Sequence, residues 1–434
     1  MKKFLPILGL LLVSMSCVDR YQIPDTINHD SGTIGAGDTT YLQLNPIWDA
    51  TYGIENPVEI SIAQDGRIFI ADSSQQSILV FDQNGNSPEG FDGLQNLRNE
   101  SGYPIEPIDV DIDKKMNVFF IDGSDHVYVW NQYWNTVGIS NVISQGTFIH
   151  DETGATQMDT VGTDTWLTML NDNEWTLTNP VFTNDESIIL SLLNPHLFFD
   201  GSNELNDYLD PHYQTDMSVF SGLTAPADQD NYIYVTDNYG GINNQYRLVQ
   251  IDFQKSHLLE LSNGEFVWAF TGQFGSNVKG YGTGAGTVNK PLSLDVDYSG
   301  NLYYTQVGDY FKAHKLIPNL SGDFATYSSG FQPFSDEILD EDRLMNPMDI
   351  ALDNSKNIYV ADQADATISV FDAHGQFFKK AGIQSNEDTL SVLKSPVAVA
   401  VDNRGVVYVC DSEDGTVIRF KLSNALDEDI QPED

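Results

Sequence analysis

Basic residues are scarce in this chain of 434 residues: 21 Lys and Arg stand against 63 Asp and Glu, which gives a formal net charge of −42. Nucleic-acid backbones are bound through Lys and Arg that displace counterions, so this balance excludes nucleic acid as a partner. Three explanations of the acid excess stay open: a surface adapted to high salt, binding of calcium or a cationic ligand, and solubility alone.

Long apolar runs are missing beyond the N-terminus, so no later stretch is expected to cross a membrane. Lys2 and Lys3 precede the apolar run 4–13, and small residues then lead to Cys17, which is the pattern of a secretory signal too short to span a bilayer. The sequence SMSC at 14–17 resembles the lipobox of bacterial lipoproteins. That resemblance implies cleavage before Cys17, acylation of its thiol and a lipid anchor in the bacterial cell envelope, at the outer membrane. An ordinary secretory signal is the alternative.

Cysteine occurs only twice, so if Cys17 is acylated, Cys410 has no partner for an intrachain disulfide. Cys410 lies within a predicted strand, and we interpret it as a small buried hydrophobic residue. We predict four segments: a signal peptide over 1–16, the lipidated cysteine with a disordered polar tether over 17–38, a folded region over 39–422, and an acidic tail over 423–434.

A repeated pattern fills the predicted folded region. Each copy has an opening residue, a short strand with apolar residues at every second position, a turn, a second apolar strand and a closing residue 15 positions after the opening one. Six copies are evident, and their opening residues are Pro57, Pro107, Gly222, Pro291, Pro347 and Pro396. The gap after the second copy is wide enough for a degenerate seventh copy, best placed at 177–199. One such sheet cannot bury both of its faces, so copies must pack on one another.

The copy from Asn346, NPMDIALDNSKNIYVADQADATISVFD, resembles the NHL repeat most closely. The resemblance implies an all-β fold, a β-propeller with six or seven four-stranded blades around a central channel. It also implies that the opening strand is innermost and that the last copy lacks its outer strand. We expect the β-type run 39–44 to supply that strand, which would join the two ends of the chain.

Two recurrent features are given structural interpretations. The closing carboxylates are expected to accept hydrogen bonds from turn amides, because a residue present in nearly every copy is rarely catalytic; they are Asp72, Asp122, Asp237, Asp362 and Asp411. The glycine-rich stretch 272–286 precedes a predicted strand rather than a helix, so we interpret it as a loop between blades and not as a phosphate cradle.

The second position after the opening residue is Gly in the NHL pattern, and here it departs from that pattern. It holds Glu59, Asp109, Thr224, Ser293, Asp349 and Ala398, with Asp111 and Asp295 two residues further on. Glu59, Asp109 and Asp349 are expected to converge at one mouth of the channel, and buried carboxylates need a cation or hydrogen-bond donors. We therefore put forward a calcium site at these three residues; the alternative is that each bonds backbone amides or faces water.

Other chemistry-bearing residues give weaker signals. Gluconolactonase-like propellers hold their metal with a polar residue directly after the opening proline, where this chain has only apolar residues; amidoglycolate-lyase propellers use several His ligands. The spacing of His150, His196 and His212 fits no zinc pattern, so we expect them on the surface. Trp134, Trp166 and Trp175 lie on an irregular segment; packing is favoured over a surface that stacks on sugars.

No catalytic constellation stands out, so the sequence favours a binding or scaffold module for a protein partner or an extracellular ligand, such as a glycan. The lipid anchor would hold this module at the membrane. The alternative function is a calcium-dependent lyase or lactone hydrolase acting at the channel mouth.

Overall fold

The structure is a computed structural model. It describes residues 40–89, 91, 93–99, 101–204, 218–227, 229, 231–240, 246–280, 286–321, 324–383 and 392–423. The predicted signal peptide, Cys17 and the tether lie outside these ranges, as do His212, part of the glycine-rich stretch and nearly all of the acidic tail. None of the helices within the described ranges is long and apolar enough to cross a membrane.

Twenty-six strands dominate the described chain. The first eleven are β1 (Tyr41–Trp48), β2 (Pro57–Ile62), β3 (Ile68–Asp72), β4 (Ser77–Phe81), β5 (Asp109–Ile112), β6 (Asn117–Ile121), β7 (His126–Asn131), β8 (Ile139–His150), β9 (Thr156–Thr160), β10 (Trp175–Thr183) and β11 (His196–Asp200). The others are β12 (Phe220–Thr224), β13 (Tyr232–Asp237), β14 (Arg247–Leu261), β15 (Phe266–Gly280), β16 (Pro291–Val296), β17 (Leu302–Gln306), β18 (Ala313–Ser321), β19 (Phe324–Ser329), β20 (Pro347–Leu352), β21 (Ile358–Asp362), β22 (Thr367–Phe371), β23 (Phe377–Ala381), β24 (Pro396–Val401), β25 (Val407–Asp411) and β26 (Thr416–Leu422).

The helices are short. They are α1 (Gln132–Val137), α2 (Asp164–Asn171), α3 (Glu186–Leu193) and α4 (Gly201–Glu204), with two further 3-10 turns at Ala50–Tyr52 and Glu337–Leu339. All four α-helices lie between β7 and β12, in the irregular part of the chain.

The strands form a β-propeller. Five blades have three or four strands: blade 1 (β2-β3-β4), blade 2 (β5-β6-β7-β11), blade 3 (β16-β17-β18-β19), blade 4 (β20-β21-β22-β23) and blade 5 (β24-β25-β26-β1). A larger sheet contains the seven strands β8–β10 and β12–β15. Its strand β12 contacts the inner strands of blades 2 and 3, and β24 contacts β2, so the inner strands form a closed ring. The prediction of an all-β propeller is confirmed. The prediction that every blade has four strands is wrong, because blade 1 has three described strands and the large sheet has seven.

Strand β1 closes the ring, as the sequence predicted. It pairs antiparallel with β26 from Tyr41 opposite Leu422 to Leu44 opposite Arg419, and a bulge then sets Trp48 opposite Val417. The strand runs four residues beyond the predicted segment 39–44. Its last residue, Trp48, is fully buried in the core between blades 1 and 5.

Apolar clusters lie between neighbouring sheets all the way around the ring. Each blade presents alternate residues of its strands to the blade on either side, because successive side chains of a strand point to opposite faces. Cys410 belongs to the cluster between blades 1 and 5 and is completely buried, which confirms its interpretation as a core residue.

Closing carboxylates tie blades 1, 4 and 5 and the large sheet to the loops that enter them. Asp72 accepts the Glu55 N–H at 2.7 Å, and Asp362 accepts the Met345 N–H at 2.6 Å. Asp411 does the same with Lys394 N–H at 2.6 Å, and Asp237 with Val219 N–H at 3.0 Å. These bonds satisfy amides that precede the inner strand, so the structural interpretation is confirmed for these residues.

The register of the third copy differs from the predicted one by two residues. Pro57, Pro291, Pro347 and Pro396 each pair with their closing residue, but Asp237 pairs with Phe220 instead of Gly222. The connection after β12 is longer, and a shift of two residues keeps every side chain on its original face, so alternation could not reveal it. Consequently Gly222, and not Thr224, occupies the second position of this copy.

The proposed seventh copy at 177–199 was wrong. Strand β10 pairs with β8 in the large sheet, whereas β11 pairs with β7 as the outer strand of blade 2, so this segment contributes to two sheets. Its first strand failed to match the repeat because β10 pairs with a long insertion strand and occupies no inner position.

Replacement of Gly222 by Ala tests the corrected register. A Cβ at Gly222 would meet the Leu292 carbonyl oxygen and approach the Ser293 Cα to 2.9 Å, both on the neighbouring inner strand. We expect Gly222→Ala to lower the free energy of unfolding by about 1–3 kcal/mol, the usual cost of overpacking. The matched control is Gly280→Ala, whose Cβ meets nothing within 4 Å. Equal urea midpoints for the two variants would show that the inner strands do not approach this closely.

Candidate functional site

The central channel contains a cavity of about 580 Å³ lined by the inner strands. Glu59, Asp109 and Asp349 all line it, so the structure brings the three predicted metal ligands to one cavity. Asp111 and Asp295 line it as well. Asp109 and Asp349 are only 5% and 4% exposed, so these two groups are shielded from bulk water.

Hydrogen bonds between neighbouring sheets engage most of these carboxylates. Asp109 Oδ2 accepts the Leu223 N–H at 2.7 Å, and Asp349 Oδ2 accepts the Val399 N–H at 2.7 Å. In the same way, Asp295 Oδ2 accepts the Leu352 N–H at 2.9 Å. In each case the donor belongs to the inner strand of the next sheet around the ring. The carboxylates therefore join adjacent sheets, as the alternative to a metal site expected.

Asp111 joins three sheets at once. Its Oδ1 accepts the Ser61 hydroxyl of blade 1 at 2.6 Å, and its Oδ2 accepts the Ala225 N–H of the large sheet at 2.8 Å. The Thr224 hydroxyl donates to the same Oδ2 at 3.1 Å. A buried acceptor with several donors is strongly held, so the inner ring is fixed by polar contacts as well as by apolar packing.

Burial raises the pKa of the channel carboxyl groups. It raises the pKa of Asp295 to about 8, and repulsion from Asp111 adds to this. Burial also raises the pKa of Glu59 well above its ordinary value, with further contributions from the negative charges of Asp349 and Asp109. The Ile60 N–H, which donates to Glu59 Oε1 at 2.9 Å, acts in the opposite direction.

The calcium site stays a prediction, and the geometry of these residues does not fit it well. Calcium takes six to eight oxygen ligands, whereas Asp109 and Asp349 each direct an oxygen at a backbone amide of the next sheet. Within the described ranges, no group of three or more His, Cys, Asp or Glu side chains could hold a metal ion.

A second cavity, which we call the lateral pocket, lies between blade 2 and the β14–β15 hairpin and measures about 410 Å³. One wall is a single face of blade 2, built from alternate residues of three strands: Asn117 and Phe119, Val129 and Asn131, His196 and Phe198. The ladder places Phe119 opposite Val129, and Val129 opposite His196. Strand alternation thus forms this wall.

The opposite wall comes from the β14–β15 hairpin. Both strands are 15 residues long, and β14 continues past its pairing with β13 to pair with β8. This extension carries Phe253, Val267, Trp268 and Phe270 over the face of blade 2. Phe119, Phe198 and Phe253 contact one another with ring centroids 5.1–5.5 Å apart, which makes an aromatic floor.

Helix α1 covers one end of the lateral pocket. Asn131 at the end of β7 caps this helix, because its side chain accepts the Trp134 N–H at 2.8 Å. Trp134 and Tyr133 follow directly and line the pocket. The Tyr133 hydroxyl donates to Glu265 Oε2 at 2.7 Å, which joins the helix to the tip of the hairpin.

His196 gives the lateral pocket an unusual polar atom. Its Nδ1 has almost no exposed surface and forms no hydrogen bond of normal geometry with a described residue. Burial lowers the pKa of His196 to about 4, while the nearby Asn194 backbone acts in the opposite direction, so the imidazole is neutral at neutral pH. A buried polar nitrogen without a well-placed partner is uncommon in folded proteins and costs free energy.

The irregular segment was only partly understood from the sequence. His196 is half-buried in the wall of the lateral pocket, whereas Trp166 is fully buried against Phe148, as the packing interpretation expected. Trp175 packs edge-on against His150, and Trp134 both packs and lines the pocket. Sequence reasoning missed Phe253 and Trp268 altogether; the aromatic run FVWAF at 266–270 was the available signal.

Comparison with known proteins identifies no family and no function for this chain. No protein-family model matches the chain, and no curated protein matches it. Virginiamycin B lyase from Staphylococcus aureus is similar in structure at 9% identity, with a TM-score of 0.42, over 88% of this chain and 99% of that one. A gluconolactonase from Xanthomonas campestris reaches 0.43 at 8% identity over 89% and 98%, and a Bacteroides thetaiotaomicron protein of unknown function reaches 0.46 at 9% over 89% and 76%. This chain is a β-propeller.

Proposed function

We propose that this propeller is an extracytoplasmic binding protein and that it holds a small ligand in the lateral pocket. The observation that carries the proposal is a cavity of about 410 Å³ with a largely aromatic lining. Small-molecule sites are typically concave, mostly apolar and of roughly 300–1,000 Å³, with a few polar groups that orient the ligand.

The channel is assigned a structural role in this proposal. Its carboxylates accept amide N–H groups across the joints between sheets, and an oxygen held in this way is not free to act on a substrate. The alternative function, a calcium-dependent lyase or lactone hydrolase, requires the channel to hold the metal and the substrate, so it is the weaker candidate.

The finer features expected from the sequence belong to the same proposal. The large sheet is counted as an elaborated sixth blade of an NHL-like ring, because β12 takes an inner place between blades 2 and 3. The lipobox-like sequence before Cys17 supports a lipid anchor in the bacterial cell envelope, with residues 18–38 as the tether. A scaffold role toward a protein partner is the alternative form of the binding function.

Native mass spectrometry of protein purified from its own cell envelope tests the proposed function. We expect the wild-type protein to carry a non-covalent small molecule, and expect Trp268→Ala to lose it because one pocket wall is removed. The matched control is Phe266→Ala on the same strand, whose ring is 55% exposed and lies outside the pocket lining.

Two results contradict the proposal, and each has a form that points to an alternative function. Wild-type protein without any bound molecule contradicts it, and so does retention of that molecule by Trp268→Ala. A bound molecule lost from Glu59→Gln but kept by Trp268→Ala would move the site to the channel and favour the enzyme. A crosslinked, stoichiometric protein partner with no small molecule would favour the scaffold role.

A further inference from the structure

The aromatic side chains of the lateral pocket define the chemistry that it recognises. The ring centroids of Phe253 and Phe270 are 5.8 Å apart, and Phe253 also contacts Phe119 and Phe198. The cluster therefore presents both ring edges and ring faces. Aromatic pairs prefer offset-stacked or edge-to-face arrangements with centroids about 4.5–7 Å apart, and a further ring can extend such a cluster in either way.

Trp268 supplies a half-buried indole on the opposite wall. The Lys255 Nζ lies 5.3 Å from the centroid of this ring, and the Lys115 Nζ lies 5.8 Å from the centroid of Phe270. Cations in these positions interact with the electron-rich ring faces and help to fix the two side chains. The hairpin wall is therefore held in place before a ligand arrives, which lowers the ordering cost of binding.

The polar groups of the pocket are few and mostly engaged. Asn131 Nδ2 donates to Asn117 Oδ1, Asn131 Oδ1 accepts from the Trp134 amide, and Glu265 accepts the Tyr133 hydroxyl. A sugar carries hydroxyl groups in several directions, and each buried one needs a partner. His196 Nδ1 has almost no exposed surface and offers nothing to a ligand, so the wall suits an apolar aromatic ligand better than a glycan.

We propose that the lateral pocket binds a planar, apolar aromatic molecule of about two or three fused rings. The size follows from the volume, because an apolar cavity of about 150 Å³ holds a single benzene. The rings lie between the phenylalanine floor and Trp268. This inference rests on the proposed function, since it names the ligand class of the same pocket.

Titration with 2-naphthol tests the ligand class, since this probe has two fused aromatic rings. We expect saturable 2-naphthol binding by calorimetry or fluorescence. We expect Trp268→Ala to weaken 2-naphthol binding at least about tenfold, and Phe266→Ala to leave it unchanged.

Binding of 2-naphthol is read first in the wild-type protein, so it does not depend on whether a variant folds. No saturable 2-naphthol binding overturns the aromatic ligand class. Cellobiose and chitobiose are titrated in parallel. If either binds and Trp268→Ala loses it, the pocket function stands and the aromatic class is wrong. If 2-naphthol binds equally well to Trp268→Ala, the site is elsewhere.

Discussion

Deletion of residues 39–44 is expected to destabilise the whole ring and not only one end of the chain. These residues carry the first half of β1, which pairs with β26 and covers the outer edge of blade 5. Tyr41 and Leu44 are only 5% and 3% exposed, and the Tyr41 hydroxyl donates to that of Tyr359 in blade 4 at 3.4 Å. Without β1 the last blade has an open edge, and its contacts with both neighbouring blades weaken.

Thermal melting and hydrogen exchange measure the effect. We expect a lower melting temperature and faster exchange in all blades, because the ring is one closed cycle of contacts. A single substitution, Trp48→Ala, should cost about 3–5 kcal/mol for a fully buried tryptophan. Ile47→Ala is the matched control, since Ile47 is 36% exposed on the same strand. If the deletion variant melts like the parent protein, β1 does not hold the ring closed.

The second large effect concerns the pH dependence of stability. The channel carboxyl groups have raised pKa values in the folded protein, so they bind protons more tightly there than in the unfolded chain. Their contribution to stability is complete below about pH 4 and is lost as the pH rises through the folded-state pKa, about 8 for Asp295. Wild-type protein is therefore expected to lose stability between about pH 4 and pH 8 through these groups.

Glu59→Gln isolates this effect. The neutral amide removes the repulsion from Asp349 and Asp109 while its oxygen can still accept the Ile60 N–H. At pH 8 we expect the free energy of unfolding of the variant to exceed that of wild type by on the order of 1–2 kcal/mol, a common size for stabilising substitutions. Near pH 4 we expect the two free energies of unfolding to be equal. Glu55→Gln, at an exposed position just before β2, controls for net charge. Equal urea midpoints for Glu59→Gln and Glu55→Gln at pH 8 would contradict the raised pKa of Glu59.

The ring could be predicted from the sequence because its determinants are local. Each copy places an opening residue opposite a closing one, and both belong to a hairpin whose turn keeps nearly constant length. The missing outer strand of blade 5 was deducible from the count of strands after Pro396. The register at Gly222 was not deducible, because a shift of two residues preserves the alternation of side chains. The large sheet was missed because its strands pair across long stretches of sequence, β10 with β8 and β8 with β14.

The channel residues could be predicted as well, since Glu59, Asp109 and Asp349 share one repeat position and a ring brings equal positions together. The hydrogen-bond partners of these residues could not be predicted, because the donating amides of Leu223 and Val399 belong to the neighbouring sheets and carry no sequence signature. The lateral pocket was beyond reach for a related reason. His196 and Trp268 lie on strands that meet only through the extension of the β14–β15 hairpin.

Hydrogen exchange with and without 2-naphthol tests the central claim, that the ligand binds at the lateral pocket and not in the channel. The account predicts slower exchange in β11 and in the Phe266–Gly280 strand, β15, where His196 and Trp268 lie. It predicts no change in the inner strands β2 and β20, which carry Glu59 and Asp349. Protection confined to β2 and β20 would contradict it.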